Sequence, residues 1–295
     1  MAIMKTTQSL FRFAPLNSEH FCIAEGQEID VRFQCQIDGK NQYYVRYQDP
    51  EACKEHCGYV PVESVVGASN IRVLAGQDTI RYVQTTTQTY VTPAATEVAF
   101  PVPRGLDVVY TGEKVNNYAH IRTIVSNSTY EGYINADYLK VSHLPYTPLQ
   151  GMIDIANLEV GYTEKAEDDT KYGVWIGQNP ASWCAAFVSW CAHFANNGTN
   201  NKSISALSTK ILKTPLVADM RDYFGSHLYD EPVVGAVAFW GTSHVGLVVS
   251  VNGTKIDVIE GNAGSTVHRW TYTKVGNQYE YGPTNKITDF GYYPR

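Results

Sequence analysis

An internal repeat in the first half of the chain constrains the fold more than any other feature of the sequence. Three segments recur in the same order: "GQEIDV" at 26–31 with "GLDVVY" at 105–110, "YYVRY" at 43–47 with "AHIRTI" at 119–124, and "GYVPVESV" at 58–65 with "GYINADYL" at 132–139. The segments have the alternation of apolar and polar residues that is typical of half-buried strands. The repeat therefore predicts two copies of one small β module.

Each copy has short strands that end in Gly-Tyr-aliphatic, followed by a closing aliphatic residue. This pattern resembles bacterial SH3 (SH3b) domains, and the resemblance implies two small all-β SH3b barrels, the first at residues 1–68 and the second, together with a linker, at 69–146. The segment "HLPYTPLQ" contains Pro145 and Pro148, which disfavour both helix and central strand. We therefore predict a linker there and a third domain over residues 147–295.

The third domain changes character along its length. Its first part contains the helical patterns "GMIDIANLEVG", with Gly161 as the stop, and "TPLVADMRDYFG", which closes at Gly225. From residue 233 onward the strand-like segments are "VVGAVAFW", "HVGLVVSV", "TKIDVIEGN", "STVHRWTYT" and "QYEYG". A helical half followed by an antiparallel half predicts an α+β domain.

Composition removes some classes of function. A net charge of -6 without a Lys/Arg cluster argues against a nucleic-acid-binding protein. No apolar run is long enough to cross a bilayer, and the first residues lack the apolar core of a signal peptide, so we expect either a cytosolic protein or one whose export signal is missing from this sequence.

The cysteines are unevenly distributed. Four of the six lie in the first sixty residues: Cys22, Cys35, Cys53 and Cys57. They could form two disulfides in three pairings or remain reduced, and we favour export on this basis. The spacing in "CKEHC" is too weak a signal for a zinc site, so the sequence predicts no metal and no cofactor.

The stretch "GQNPASWCAAFVSWCAHFANN" at residues 177–197 places a cysteine at the start of a predicted helix. One face of that helix would contain Cys184, Phe187, Val188, Cys191, Phe194 and Ala195. With Ser182 as the N-cap, Cys184 lies in the first turn, where free N–H groups and the helix dipole favour a thiolate. We predict that Cys184 is a nucleophile and that Cys191 is a buried structural residue.

A nucleophilic cysteine needs a base and a group that orients the base. The segment "TSHVGLVVSVNGTKIDVIEGNAG" predicts a hairpin that begins at His244, turns at Asn252-Gly253 and ends near Glu260 and Asn262. A two-residue turn would leave Asn262 on the far face from His244. A three-residue turn with a bulge places Asn262 directly opposite His244 and Glu260 two residues away on the same face. We predict the bulged register, because only it joins all three polar groups.

The motifs "SWCAAFVSW", "HVGLVVS" and "IEGN" resemble those of the CHAP and NlpC/P60 papain-like peptidoglycan hydrolases, over about residues 150–295. The resemblance implies a papain-like α+β domain in which Cys184 is the nucleophile and His244 is the general base and then acid. Asn262 would orient the imidazole, with Glu260 as the competitor for that role.

An oxyanion hole would use the backbone N–H of Cys184 and a second donor, for which Tyr172 and Gln178 are the candidates. Trp183 is assigned to substrate binding or packing beside them. The resemblance implies a cysteine endopeptidase that cleaves the peptidoglycan stem peptide, at the bond between γ-D-glutamate and the L-diamino acid. The alternatives are an N-acetylmuramoyl-L-alanine amidase of CHAP type and a non-catalytic wall-binding protein. The expected location is secreted or cell-surface, or cytoplasmic if the enzyme recycles muropeptides.

Overall fold

The computed structural model describes residues 2–6, 8–11, 19–37, 39–49, 54–68, 71, 73–75, 78–125, 128–195, 211–282 and 285–293. Within these ranges the chain forms three antiparallel sheets and four α-helices. No described helix has both the length and the apolar character needed to span a membrane.

The first sheet has seven strands: β1 (Ala2–Met4), β2 (Gln8–Phe11), β3 (Glu19–Ile23), β4 (Glu28–Ile37), β5 (Lys40–Asp49), β6 (Lys54–Pro61) and β7 (Val65–Val66). The second sheet also has seven: β8 (Thr79–Val83), β9 (Thr87–Tyr90), β10 (Val98–Val102), β11 (Asp107–Val115), β12 (Tyr118–Val125), β13 (Ser128–Asn135) and β14 (Leu139–Lys140).

Both sheets have the same strand order. It is β3-β2-β6-β5-β4-β1-β7 in the first and β10-β9-β13-β12-β11-β8-β14 in the second. In each, a 3-10 turn precedes the last strand, at Val62–Ser64 and at Ala136–Tyr138. The repeated Gly-Tyr segments therefore form equivalent strands, turns and closing strands in the two sheets.

The cysteines of the first sheet form no disulfide within the described residues. Cys22 and Cys35 are free thiols, Cys57 is buried, and burial raises the pKa of Cys35 to about 11. Cys53 lies outside the described residues.

The remaining elements form the α+β domain. Its helices are α1 (Pro148–Glu159), α2 (Lys171–Ile176), α3 (Cys184–Phe194) and α4 (Val217–Phe224). Its strands are β15 (Leu228–Tyr229), β16 (Val237–Trp240), β17 (His244–Asn252), β18 (Lys255–Glu260), β19 (His268–Val275), β20 (Gln278–Tyr281), β21 (Asn285–Ile287) and β22 (Asp289–Gly291). They form one sheet in the order β15-β22-β16-β17-β18-β19-β20-β21.

Two local predictions from the sequence are wrong. Pro148 begins α1 instead of ending a linker, because Thr147 caps the helix and proline is favoured at the first helical position, where its missing N–H is not needed. Helix α3 does not bury only the one apolar face that the sequence predicts, since every residue from Cys184 to Phe194 is buried. A helix that is buried all round needs a neighbour on each side.

One of those neighbours is the second sheet. The rings of Phe100 and Tyr130 lie 5.9 and 5.0 Å from the ring of Phe194, measured between centroids. The Tyr130 hydroxyl is hydrogen-bonded to His193 Nε2 at 2.8 Å. From the segment between β14 and α1, the Tyr146 hydroxyl donates to the Ala195 carbonyl at 2.6 Å. The second sheet and the α+β domain therefore share one apolar core.

The first sheet contacts the second through a buried ion cluster. Arg32 Nε donates to Asp107 Oδ2 at 3.2 Å, and Arg46 pairs with the other oxygen of the same fully buried carboxylate. Burial raises the pKa of Asp107, but the two guanidinium groups outweigh it and hold this pKa below its usual value. Removal of either arginine would leave a buried charge less fully compensated.

Candidate active site

Cys184 is the first residue of α3 and is almost fully buried, with 3% of its surface exposed. Trp183 is the N-cap residue, and it makes no side-chain capping bond. Ser182 is therefore not the N-cap that the sequence predicts; its hydroxyl accepts a hydrogen bond from Asn262 instead. The first-turn position of Cys184 is confirmed, and it leaves the backbone N–H of this residue outside the helical hydrogen-bond pattern.

His244 is the first residue of β17, and its side chain is hydrogen-bonded to that of Glu260, the last residue of β18. The imidazole Nε2 donates to Glu260 Oε2 at 2.9 Å, and the carboxylate side chain is only 3% exposed. Gly246 lies directly opposite Glu260, so His244 is the diagonal neighbour two residues away. A Cβ atom at position 246 would lie 2.7 Å from Glu260 Cγ, so glycine there leaves room for the carboxylate to cross to the histidine.

The strand pairing near His244 is the predicted one, but the bulge that produces it lies at a different place. The last pair before the turn is Asn252 with Lys255, and a bulge between Val248 and Ser250 shifts the pairing by one residue. The bulge therefore lies within β17 and not in the turn.

The sequence predicts that Asn262 bonds to His244, but its hydrogen bonds go to other residues. The reason is the backbone conformation at the end of β18. β18 ends at Glu260, and Asn262 has a φ of 59°, in the left-handed region outside the ladder. Its amide Nδ2 donates to Asp168 Oδ1 at 3.2 Å and to Ser182 Oγ at 3.3 Å. The predicted contact assumed that Asn262 belongs to the strand, and strand pairing no longer positions its side chain once β18 has ended.

The Cys184 thiol lies beside His244, close enough to raise the pKa of its imidazole. Since Nε2 of the imidazole faces Glu260, Nδ1 is the nitrogen left for the sulfur. Burial has the largest effect on the pKa of His244 and lowers it, but the hydrogen bonds and negative charges of Cys184 and Glu260 outweigh burial and raise this pKa to about 9. The raised pKa of His244 therefore favours an imidazolium between Cys184 and the Glu260 carboxylate.

Glycine also lets the end of β18 approach the helix. A Cβ atom at position 261 would lie 2.6 Å from Phe187 Cβ and 2.9 Å from Trp183 Cζ3. A larger residue at Gly261 would move the strand away from the first turn of α3, and the carboxylate at its end would move with it.

Sequence reasoning missed a tyrosine behind the carboxylate. The Tyr272 hydroxyl donates to Glu260 Oε1 at 2.8 Å, and Asn285 Nδ2 donates to the same hydroxyl at 3.1 Å. Trp240 lies beside this group, with ring centroids 5.1 Å from His244 and 5.5 Å from Tyr272. In the ladder between β18 and β19, Glu260 lies opposite His268. Side chains alternate along β19, so Tyr272 lies on the same face as His268 and Glu260. The alternation in the sequence could have identified Tyr272 if the pairing of the two strands had been known.

Tyr172, one of the two candidates for the second oxyanion donor, has its hydroxyl bonded elsewhere. It is fully buried, and its hydroxyl donates to Glu159 Oε2 at 2.5 Å. Its ring stacks on Trp183 with 5.4 Å between centroids. Trp183 is also fully buried, and its Nε1 donates to Glu164 at 2.9 Å. Both aromatic residues are thus packed in the core beside the start of α3.

Gln178 is exposed in the loop between α2 and α3, before the cis bond that joins Asn179 to Pro180. It remains a candidate for the second oxyanion donor. Cys191 is fully buried two turns after Cys184, and burial raises its pKa well above the usual value. The prediction of a structural role for Cys191 agrees with this burial.

The described residues contain no group of three or more His, Cys, Asp or Glu side chains that could hold a metal ion. The described side chains that meet at the site supply a thiol, an imidazole and a carboxylate.

Comparison with solved structures finds NlpC2 from Trichomonas vaginalis, which is 13% identical with a TM-score of 0.31, over 99% of this chain and 96% of that one. NlpC1 from the same organism is also 13% identical, with a TM-score of 0.30, over 99% and 92% of the two chains. No curated protein sequence matches. Residues 176–262 match the CHAP domain family, whose domains are cysteine-dependent peptidoglycan hydrolases, and this segment contains Cys184, His244 and Glu260.

Proposed function

We propose that the α+β domain hydrolyses an amide bond in the stem peptide of bacterial peptidoglycan, with Cys184 as the nucleophile. The observation that carries the proposal is the contiguous set formed by a thiol at a helix start, His244 beside that thiol, and Glu260 hydrogen-bonded to the same imidazole. This is the arrangement that cysteine acyl transfer requires. The match of this segment to the CHAP domain supports the substrate class.

In the proposed reaction the Cys184 thiolate attacks the carbonyl carbon of the scissile amide. The backbone N–H of Cys184 and a second donor, for which Gln178 is our candidate, stabilise the oxyanion that forms. The His244 imidazolium gives its proton to the departing amine, which leaves a thioester on the sulfur. The neutral imidazole then takes a proton from water as it attacks the thioester, and the carboxylic acid and free thiolate are released with the imidazolium restored.

We propose as the substrate bond the one between γ-D-glutamate and the L-diamino acid, which the NlpC/P60 resemblance implies. The CHAP match favours a second candidate, the bond between N-acetylmuramic acid and L-alanine. Digestion of purified peptidoglycan followed by mass spectrometry separates the two. The endopeptidase leaves muramic acid carrying L-alanyl-D-glutamate and releases a peptide whose amino-terminal residue is the diamino acid. The amidase leaves glycan strands without peptides and releases intact stem peptides.

We further propose that the two N-terminal sheets are SH3b domains that bind the cell wall. Their shared strand order and their 3-10 turn before the closing strand support a common module. With this substrate we propose a location outside the producing cell or on its surface, or in the cytoplasm if the protein acts on recycled muropeptides.

A non-catalytic wall-binding protein is the alternative from another class. It predicts a Cys184 that reacts with iodoacetamide no faster than an ordinary buried thiol, with no dependence on His244. Selective alkylation of Cys184 that is lost in His244→Ala supports the hydrolase. Wall binding together with an inert Cys184 would reject it.

A further inference from the structure

The Glu260 carboxylate is buried and uses both of its oxygens. Oε2 accepts from His244 at 2.9 Å and Oε1 accepts from the Tyr272 hydroxyl at 2.8 Å. A carboxylate with a single partner can rotate about its last side-chain bond, whereas one held at both oxygens has a fixed plane. The second contact therefore determines the direction in which Oε2 points.

Tyr272 has a defined donor role because of Asn285. A tyrosine hydroxyl has one proton, and the Asn285 amide N–H donates to its oxygen at 3.1 Å. The proton of the hydroxyl is thus left for Glu260. Tyr272 is completely buried, and burial together with the charge of Glu260 raises its pKa far above the usual value, so the hydroxyl keeps its proton at every pH at which the protein would work.

We propose that Tyr272, held by Asn285, is a positioning residue that fixes the Glu260 carboxylate and so aligns the His244 imidazole with Cys184. The inference rests on the proposed function and extends it to two residues on β19 and β21. The groups that face this network are Cys184 from α3, Glu260 from β18, His268 across from Glu260 on β19, and the Tyr281 ring on β20, 6.1 Å from Tyr272 between centroids.

The proposal differs from a purely structural role in what it predicts for combined variants. If Tyr272 acts through Glu260, loss of its hydroxyl changes nothing once Glu260 can no longer hold the histidine. If Tyr272 only fills the core of the sheet, its effect on the site is independent and adds to that of Glu260.

The test uses the full chain and the variant Tyr272→Phe, which keeps the ring and removes the hydroxyl. The matched control is Tyr279→Phe, on the neighbouring strand, where a tyrosine that is 3% exposed packs on Phe290. The first measurement is the rate of iodoacetamide alkylation at Cys184, followed by mass spectrometry of the modified peptide. The second is the rate of peptidoglycan digestion. Thermal unfolding of each variant establishes that it is folded.

We expect Tyr272→Phe to slow both reactions about tenfold, the effect of losing one hydrogen bond to a charged group, while Tyr279→Phe reacts as the wild type does. The double variant Tyr272→Phe/Glu260→Gln should be no slower than Glu260→Gln alone. Wild-type rates in Tyr272→Phe, or a double variant about tenfold slower than Glu260→Gln, would overturn the proposal. If Tyr272→Phe does not fold, Asn285→Ala replaces it, with the same expected direction and a smaller effect.

The two measurements separate this inference from the proposed function. If iodoacetamide modifies Cys184 selectively in the wild type but the protein digests no peptidoglycan, the proposed substrate is rejected. The alkylation rates of the variants still decide the role of Tyr272. Alkylation rates that do not depend on Tyr272 or on Glu260 reject the positioning role, whatever the substrate is.

Discussion

The two ends of helix α3 lie in different surroundings, although the helix is only eleven residues long. At its start, Cys184 lies beside His244, which is bonded to Glu260, and both partners belong to central strands of the third sheet. At its end, His193 and Phe194 pack against the second sheet. One end has the partners for chemistry, and the other is where the second sheet attaches to the domain.

The histidines at these ends differ in the sign of their pKa shift. Burial lowers the pKa of both, and at His193, where the nearby Lys213 adds to this effect, the pKa falls to about 4. At His244 the hydrogen bonds and charges of Cys184 and Glu260 exceed the effect of burial and raise the pKa to about 9. The comparison shows that a buried histidine becomes basic only where anionic partners compensate the loss of water.

The largest expected effect is at the start of the helix. Cys184→Ala should lower the rate of peptidoglycan digestion by at least about 10³-fold, because no other described thiol contacts His244. Digestion should be followed by turbidity, and the melting temperature measured alongside. Residual activity above a few per cent in a folded Cys184→Ala protein would show that the nucleophile lies elsewhere.

The second effect concerns the orienting group. Glu260→Gln should lower kcat/KM by about 10²- to 10³-fold, since the imidazolium loses the charge that stabilises it, while Asn262→Ala should lower kcat/KM by less than about tenfold. Asn262 is the matched control, because it lies two residues further on and binds Asp168 and Ser182 instead. A larger loss in Asn262→Ala than in Glu260→Gln, at equal stability, would restore the asparagine to the role predicted from sequence.

The third effect tests the far end of the helix in acid. The folded-state pKa of His193 is below its ordinary value of 6.5, so the unfolded chain binds the proton more tightly. The stability associated with neutral His193 is thus present above about pH 6.5 and is lost as the pH falls towards 4, by on the order of 3 kcal/mol. Urea unfolding between pH 4 and 7 should show this loss in the wild type, with a smaller slope in His193→Gln. Identical slopes would exclude His193 as the titrating group.

The fourth effect has the opposite sign and lies in alkali. The folded-state pKa of His244 is raised, so its contribution to stability is fully present below about pH 6.5 and is lost as the pH rises through about 9. The imidazolium also supplies the proton for the departing amine, so kcat/KM should fall above pH 9, by about tenfold per pH unit. In Glu260→Gln this fall should begin at a lower pH. An unchanged alkaline limb in that variant would mean that Glu260 does not act on His244.

Sequence patterns were sufficient for the longer helices and strands, and for Cys184 at the start of a helix and His244 at the start of a strand, because these depend on periodicity and on local position in a turn. The short elements α2, β15, β21 and β22 were not predicted. The repeat in the first half also predicted two β modules, and the structure has two sheets of one topology. The helix that carries the cysteine and the strand that begins at the histidine are where the apolar spacing predicted them.

Contacts that depend on tertiary structure could not be predicted in this way. The choice between Glu260 and Asn262 depended on where β18 ends, which the left-handed conformation of Asn262 decides. The burial of Tyr172 depended on a partner, Glu159, which lies in another helix and also accepts from Gln88 of the second sheet at 2.7 Å. Docking of the second sheet likewise buries the face of α3 that a separate domain would expose.

The smallest expected effect compares two cysteines on one helix face. Cys191 is fully buried among apolar groups, and burial raises its pKa well above the usual value, so its thiol is neither accessible nor ionised near neutral pH. Cys191→Ala removes one small buried side chain and should lower the free energy of unfolding by about 1 kcal/mol, with kcat/KM unchanged. Urea unfolding and peptidoglycan digestion of the same preparation measure the two quantities together. Iodoacetamide should still modify one thiol of the α+β domain in this variant and none in Cys184→Ala. A Cys191→Ala protein of normal stability that fails to digest peptidoglycan would show that the second turn of α3, and not its first residue, carries the reactive thiol.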